Sequence, residues 1–123
     1  MLNFLWVALG GALGASLRYG ISLIATRWSL TFPWGTLVAN LIGCFIIGLF
    51  LPLAINRFFF PLSIRLFISV GILGGLTTFS TFSYESWAFF LEGNWTQGFL
   101  NIALNMLLSL GATGLGLWFA YRF

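Results

Sequence analysis

The groups able to do chemistry in this chain are hydroxyls, amides and backbone atoms set inside long apolar runs. The densest set is Gly71-Ile72-Leu73-Gly74-Gly75-Leu76-Thr77-Thr78-Phe79-Ser80-Thr81-Phe82-Ser83. Glycines followed by Thr and Ser make poor helix. A helix broken there frees backbone N–H and C=O groups. At membrane depth such breaks persist only where protein or a cavity satisfies them, and they often form ion sites. The structural alternative is that the hydroxyls bond back to their own helix. Phe79 and Phe82 stand three apart and share a helix face. Ring edges are positive and ring faces negative, so edges suit an anion and faces a cation.

Thr36, Asn40 and Gly43 share another face. The Asn40 amide offers two N–H donors to an anion, and equally to a neighbouring helix. Asn101, Asn105, Ser109 and Thr113 recur at a strict spacing of four. They either join helices or line a path for something hydrophilic. Gly10, Gly14 and Arg18 also recur every four residues. The glycines allow close packing. Arg18 is then an interfacial anchor or an electropositive element at a mouth. Glu85, about two turns beyond the suspected break, can guard a mouth. Histidine is absent and Cys44 is the only cysteine, so Ser-His-Asp and Cys-His sets are missing. No carboxylate or histidine lies mid-span, as a proton-coupled carrier usually needs. A passive pathway fits these residues better than an enzyme or a pump.

The elements that must hold these residues are membrane spans. Of 123 residues, 60% are hydrophobic and 6% charged, with a mean hydropathy of +1.04. A soluble domain carries about 25% charged residues. Residues 28–56 and 93–121 contain no charge at all. Each run exceeds the roughly 20 residues that cross a bilayer core. The pattern predicts an all-α membrane protein, with one four-helix transmembrane domain over residues 1–123. Its spans are residues 4–26, 34–55, 63–90 and 96–121, the third broken near its middle. No positive charge precedes the first span, which reads as a retained helix and not a signal peptide. Pro52 is expected to end or kink the second. Short connections make neighbours antiparallel. Trp28, Trp34, Trp87, Trp95 and Trp118 fall near span ends, as interfacial belts do. Five scattered arginines and a net charge of +3 make no nucleic-acid patch.

Arg57, Arg65 and Arg122 fall on one side of the membrane, Arg18 and Arg27 toward the other. A bias of three against two gives almost no positive-inside instruction. Either the topology is fixed by other features, or the chain inserts both ways. The second case lets two identical chains pair head to tail. That supplies the inverted symmetry of larger transporters and the room for a pore that one small chain lacks.

Taken in order, these motifs resemble the small bacterial fluoride channels of the CrcB/Fluc family. The likeness rests on Gly10 to Ala15 with Arg18 and Tyr19, on Gly35-Thr36-Leu37 with Asn40 and Gly43, and above all on the run from Gly74 to Phe82. The fourth span matches less distinctively. The resemblance implies an antiparallel dual-topology homodimer in the bacterial inner membrane, with two fluoride pores and passive fluoride export. It implies pore roles for Asn40, Phe79, Phe82 and Ser109 and a vestibule role for Arg18. Asn105 and Thr36 join the expected anion path. Backbone carbonyls of Gly74 and Thr77 are implied to hold a structural sodium ion at the two-fold axis. The chain itself is then the only protein partner. A small dual-topology multidrug-type exporter is the alternative, but it needs a carboxylate in the first span. A structural membrane protein would explain the glycines and asparagines, but not a broken span with paired phenylalanines.

Overall fold

The computed structural model describes all residues, Met1–Phe123. Four helical segments are long and apolar enough to cross a membrane: Leu2–Thr26, Trp34–Arg57, Leu62–Leu91 and Trp95–Arg122. The third is not one helix. We number the helices α1 (Leu2–Thr26), α2 (Trp34–Arg57), α3 (residues 62–76), α4 (Phe79–Leu91) and α5 (Trp95–Arg122).

Between α3 and α4 the backbone is extended at Thr77 (φ −81°, ψ 152°) and Thr78 (φ −151°, ψ 120°). Two threonines finish the two helices. Thr77 Oγ1 donates back to the Leu73 carbonyl (2.9 Å) and closes α3. Thr78 Oγ1 accepts the Thr81 N–H (3.2 Å) and caps α4. Ser, Thr, Asn and Asp are the preferred N-caps, which explains why α4 starts where it does. Its other end is set by Gly93, whose φ of +78° suits glycine after a helix C-terminus.

Pro52 does not end α2. The helix runs past it to Arg57 with wider, π-type turns from Leu53 onward. Wider turns relax the i→i+4 ladder, which a proline interrupts in any case. The connection to α3 then turns sharply, with Phe59 in the left-handed region at φ 49°.

α1 lies against α3 and α2 against α5, while α4 packs on the first turns of α5. Glycine makes the first two contacts possible. A Cβ at Gly14 would overlap the Ile72 carbonyl oxygen, and one at Gly10 would overlap that of Phe67. At Gly48 and Gly116 a Cβ would overlap the backbone carbonyls of Thr113 and Phe45. Lipid offers helices no hydrophobic reason to associate, so such close backbone packing is what holds them. Trp118 and Arg122 finish α5, with the guanidinium 4.4 Å from the indole centre.

Candidate functional site

The broken span and the polar residues of α2 and α5 meet around one cavity of about 300 Å³. Its lining includes Asn40, Thr77, Thr78, Phe79, Phe82, Asn105, Ser109 and Thr113. Apart from the Cys44 thiol, no lining side chain is ionisable.

Each residue is there for a local reason. Asn40 projects from α2 at the level of the break and is 8% exposed. Its Oδ1 accepts the Thr78 N–H at 2.7 Å. That backbone donor fixes which amide atom is oxygen. Nδ2 then donates to the Thr78 carbonyl (3.2 Å) and to Asn105 Oδ1 (3.0 Å). Both Asn40 N–H bonds are therefore engaged within the chain. One turn along α2, Gly43 leaves room for the Thr77 methyl, which a Cβ there would overlap. The pair Asn40 and Gly43 thus receives the two extended residues, one by hydrogen bonds and one by space.

The same exchange opens α3. A continuous helix would give the Thr78 N–H to the Gly74 carbonyl; here it goes to Asn40. The ψ of 152° at Thr77 turns the Thr77 carbonyl out of the helical direction as well. Gly74 is exposed and Thr77 half-buried in the single chain. Such carbonyls fit a small hard monovalent cation, for which oxygen is the natural ligand. One chain supplies only part of a shell, and no group of three or more carboxylate, thiol or imidazole side chains stands anywhere in it to hold a metal.

On α5, a spacing of four advances about 40° per step around an ordinary helix. Wider π-type turns over Leu104–Leu108 reverse part of that drift. Asn105 and Ser109 thereby both reach the cavity. Asn101, fully buried, does not line it. Its carbonyl and Oδ1 both accept from Asn105 Nδ2 at 3.0 Å. The Ser109 hydroxyl is enclosed and has no hydrogen-bond partner, so it is a free donor on this wall. Phe79 and Phe82 pack edge to face, centroids 5.2 Å apart and planes at 74°. Phe82 is buried, whereas Phe79 is 70% exposed in the single chain.

Two residues expected on the path do not line this cavity. Thr36 is buried and donates to Glu85 Oε1 at 2.6 Å, joining α2 to α4 beside a separate cavity of about 120 Å³. Glu85 also borders a wider cleft of about 530 Å³ with Glu92, Asn94 and Tyr84. Arg18 is half-buried on α1 and lines none of these cavities. Cys44 also lines the central cavity. Ser86 was missed altogether. It is 3% exposed and accepts from Asn101 Nδ2 at 3.0 Å. Its position four residues after Phe82, on the same face, was the available signal.

Fold and site together define an integral membrane protein that offers a small hydrophilic species an uncharged polar site within the bilayer. The chain belongs to the CrcB family, whose model, described as CrcB-like protein, Camphor Resistance (CrcB), matches residues 5–117. It is 48% identical over 118 residues to the fluoride-specific ion channel FluC of Salinibacter ruber, covering 94% of this chain and 87% of that one. The protein of the same name from Hydrogenovibrio crunogenus is 43% identical over 124 residues, covering 100% and 94%. That from Chloroflexus aurantiacus is 44% identical over 124 residues, covering 97% and 98%.

Proposed function

We infer that this chain is a passive fluoride channel of the bacterial inner membrane, exporting the ion from the cytoplasm down its gradient. One observation carries the reading. Asn40, Phe79, Phe82, Asn105 and Ser109 come from three separate helices and converge on one uncharged cavity. The names of the FluC relatives point to the same ion.

Fluoride is small, strongly hydrated and a good hydrogen-bond acceptor. Its water must be replaced piecemeal, by groups that bind adequately without trapping it. The unpartnered Ser109 hydroxyl is a ready donor. The Phe79 and Phe82 ring edges offer weak positive potential beside it. Asn40 and Asn105 act first by holding the break open, since their donors are already engaged. Thr36 and Arg18, away from the cavity, serve the approach to it. No fixed positive charge in the cavity means no deep well for an anion.

The working form is an antiparallel dual-topology homodimer. Its support is the weak arginine bias and the exposure of Phe79 and Gly74 in a single chain. A second copy covers both. The Gly74 and Thr77 carbonyls of two chains would then be the groups to hold a structural sodium ion, whose charge would satisfy carbonyls freed by the break. Exchange of sodium for a large organic cation should lower dimer stability as well as flux. Lysines added to one connection should force a single orientation and abolish function, restored by an oppositely biased partner.

The function itself is tested in cells. Expressed in a bacterium stripped of its own fluoride export, the protein should restore growth in fluoride. Continued sensitivity, with the protein present in the membrane, would count against the reading.

A further inference from the structure

The hydrogen bonds around the break do not stop at the cavity. The Thr78 N–H donates to Asn40 Oδ1, and Asn40 Nδ2 donates to Asn105 Oδ1. Asn105 Nδ2 donates to Asn101 Oδ1, and Asn101 Nδ2 donates to Ser86 Oγ. Ser86 Oγ finally donates to the Phe82 carbonyl at 2.8 Å. These five bonds run head to tail, and the backbone of residues 78–82 joins the two ends into a circuit, while Asn40 Nδ2 also donates back to the Thr78 carbonyl. The circuit leaves the broken span at Thr78, crosses α2 and α5, and re-enters it at Phe82. The segment it encloses, residues 78–82, contains both phenylalanines.

We propose that Ser86 and Asn101 are positioning residues that aim the Phe79–Phe82 pair, although neither lines the cavity. The inference deepens the fluoride-channel reading and rests on it. Thr78 alone fixes only where α4 begins. The rotation of α4 about its axis, which sets where the rings point, needs a second attachment further along. Ser86 supplies it, one turn beyond Phe82 and facing α5. Asn101 is the matching anchor, fully buried, with Oδ1 and backbone carbonyl both taken by Asn105. Bonds aligned head to tail polarise one another, and in a dry interior a lost link orphans its neighbours. Asn105 both lines the cavity and belongs to the circuit, so a change at Ser86 reaches the cavity wall through two side chains.

The test uses full-length protein in liposomes, with fluoride and chloride efflux measured on the same preparations and scaled to folded protein. Ser86→Ala removes one hydroxyl with almost no change in volume. Fluoride flux should fall about tenfold, the scale of one buried hydrogen bond. The fluoride-to-chloride ratio should fall with it, which a merely structural role would not produce. Asn101→Ala also removes the Asn105 Nδ2 acceptor and should lower flux and ratio at least as far, and the double variant should be no worse than Asn101→Ala, because the Asn101–Ser86 link is already cut there. Should Asn101→Ala fail to fold, Ser86→Ala decides. Native flux and native ratio in Ser86→Ala, or a drop in thermal stability alone, would overturn the proposal while the channel reading stands. A silent unmodified protein would instead sink the channel reading, and this inference with it.

Discussion

Where α1 meets α3, contact is made by absence: Gly10, Gly14 and Gly71 bring two backbones together with no side chain between them. Where α2 and α5 meet the broken span, contact is made by Asn40, Asn105 and Asn101, each buried and hydrogen-bonded. Both solutions answer the same difficulty, that apolar lipid gives helices no reason to associate. They differ in what they leave behind. A glycine seam is dry, tolerates no insertion and exposes nothing polar. An amide network fixes a distorted backbone and keeps polar atoms beside a cavity. The first is a frame and the second a site, and substitutions should separate them.

The largest effect is expected in the frame. Gly14→Leu drives a side chain into the Ile72 carbonyl, which no rotamer change relieves. Folded protein should be largely lost, as judged by size-exclusion yield in detergent. Normal yield would mean that α1 can move off α3.

Asn40→Ala attacks the site. It strips the Thr78 N–H of its acceptor and Asn105 Oδ1 of its donor. Each unsatisfied group in the bilayer costs on the order of several kcal/mol. Flux should vanish, and the thermal midpoint should fall while some folded protein survives. A conducting Asn40→Ala protein would show that the break stands without it.

Phe79→Ile and Phe82→Ile keep apolar bulk and remove the ring edges. Flux should fall strongly in both. Stability of the folded chain should fall at Phe82, which is buried within it, by about 1 kcal/mol, the scale of a bulk-conserving core exchange. Unchanged flux in both would assign the rings to packing.

The smallest effect tests a glycine outside either region. A Cβ at Gly20 would meet nothing within 4 Å. Gly20→Ala should raise stability by up to about 1 kcal/mol from helix propensity alone, with flux unchanged. A destabilised variant would mean that another surface packs on that face.

What the sequence made legible follows the range of the forces involved. The four long apolar helices could be read because charge is excluded from long runs, and the break because Gly74, Gly75, Thr77 and Thr78 are locally poor helix. The α1 glycine face was visible from its spacing of four. Partners far apart in the chain were not. Thr36 was assigned to the anion path, yet its hydroxyl meets Glu85, 49 residues away. The Asn40 donors were open to an anion or to a neighbouring helix, and Thr78 and Asn105 take both. Pro52 was expected to end or kink the second span, and wider turns carry α2 past it. For Thr36 and Asn40 the side chain's role was set by what stood opposite it, a neighbour that spacing along the chain does not name.

The central claim is that the cavity between α2, the broken span and α5 passes fluoride passively. Efflux from liposomes holding only the purified protein, followed with a fluoride electrode while voltage and pH gradients are set independently, tests it most directly. Fluoride should leave at a rate that follows its electrochemical gradient, with no proton gradient or ATP, and much faster than chloride from matched vesicles. No efflux from folded protein, or efflux that needs a proton gradient, would contradict it.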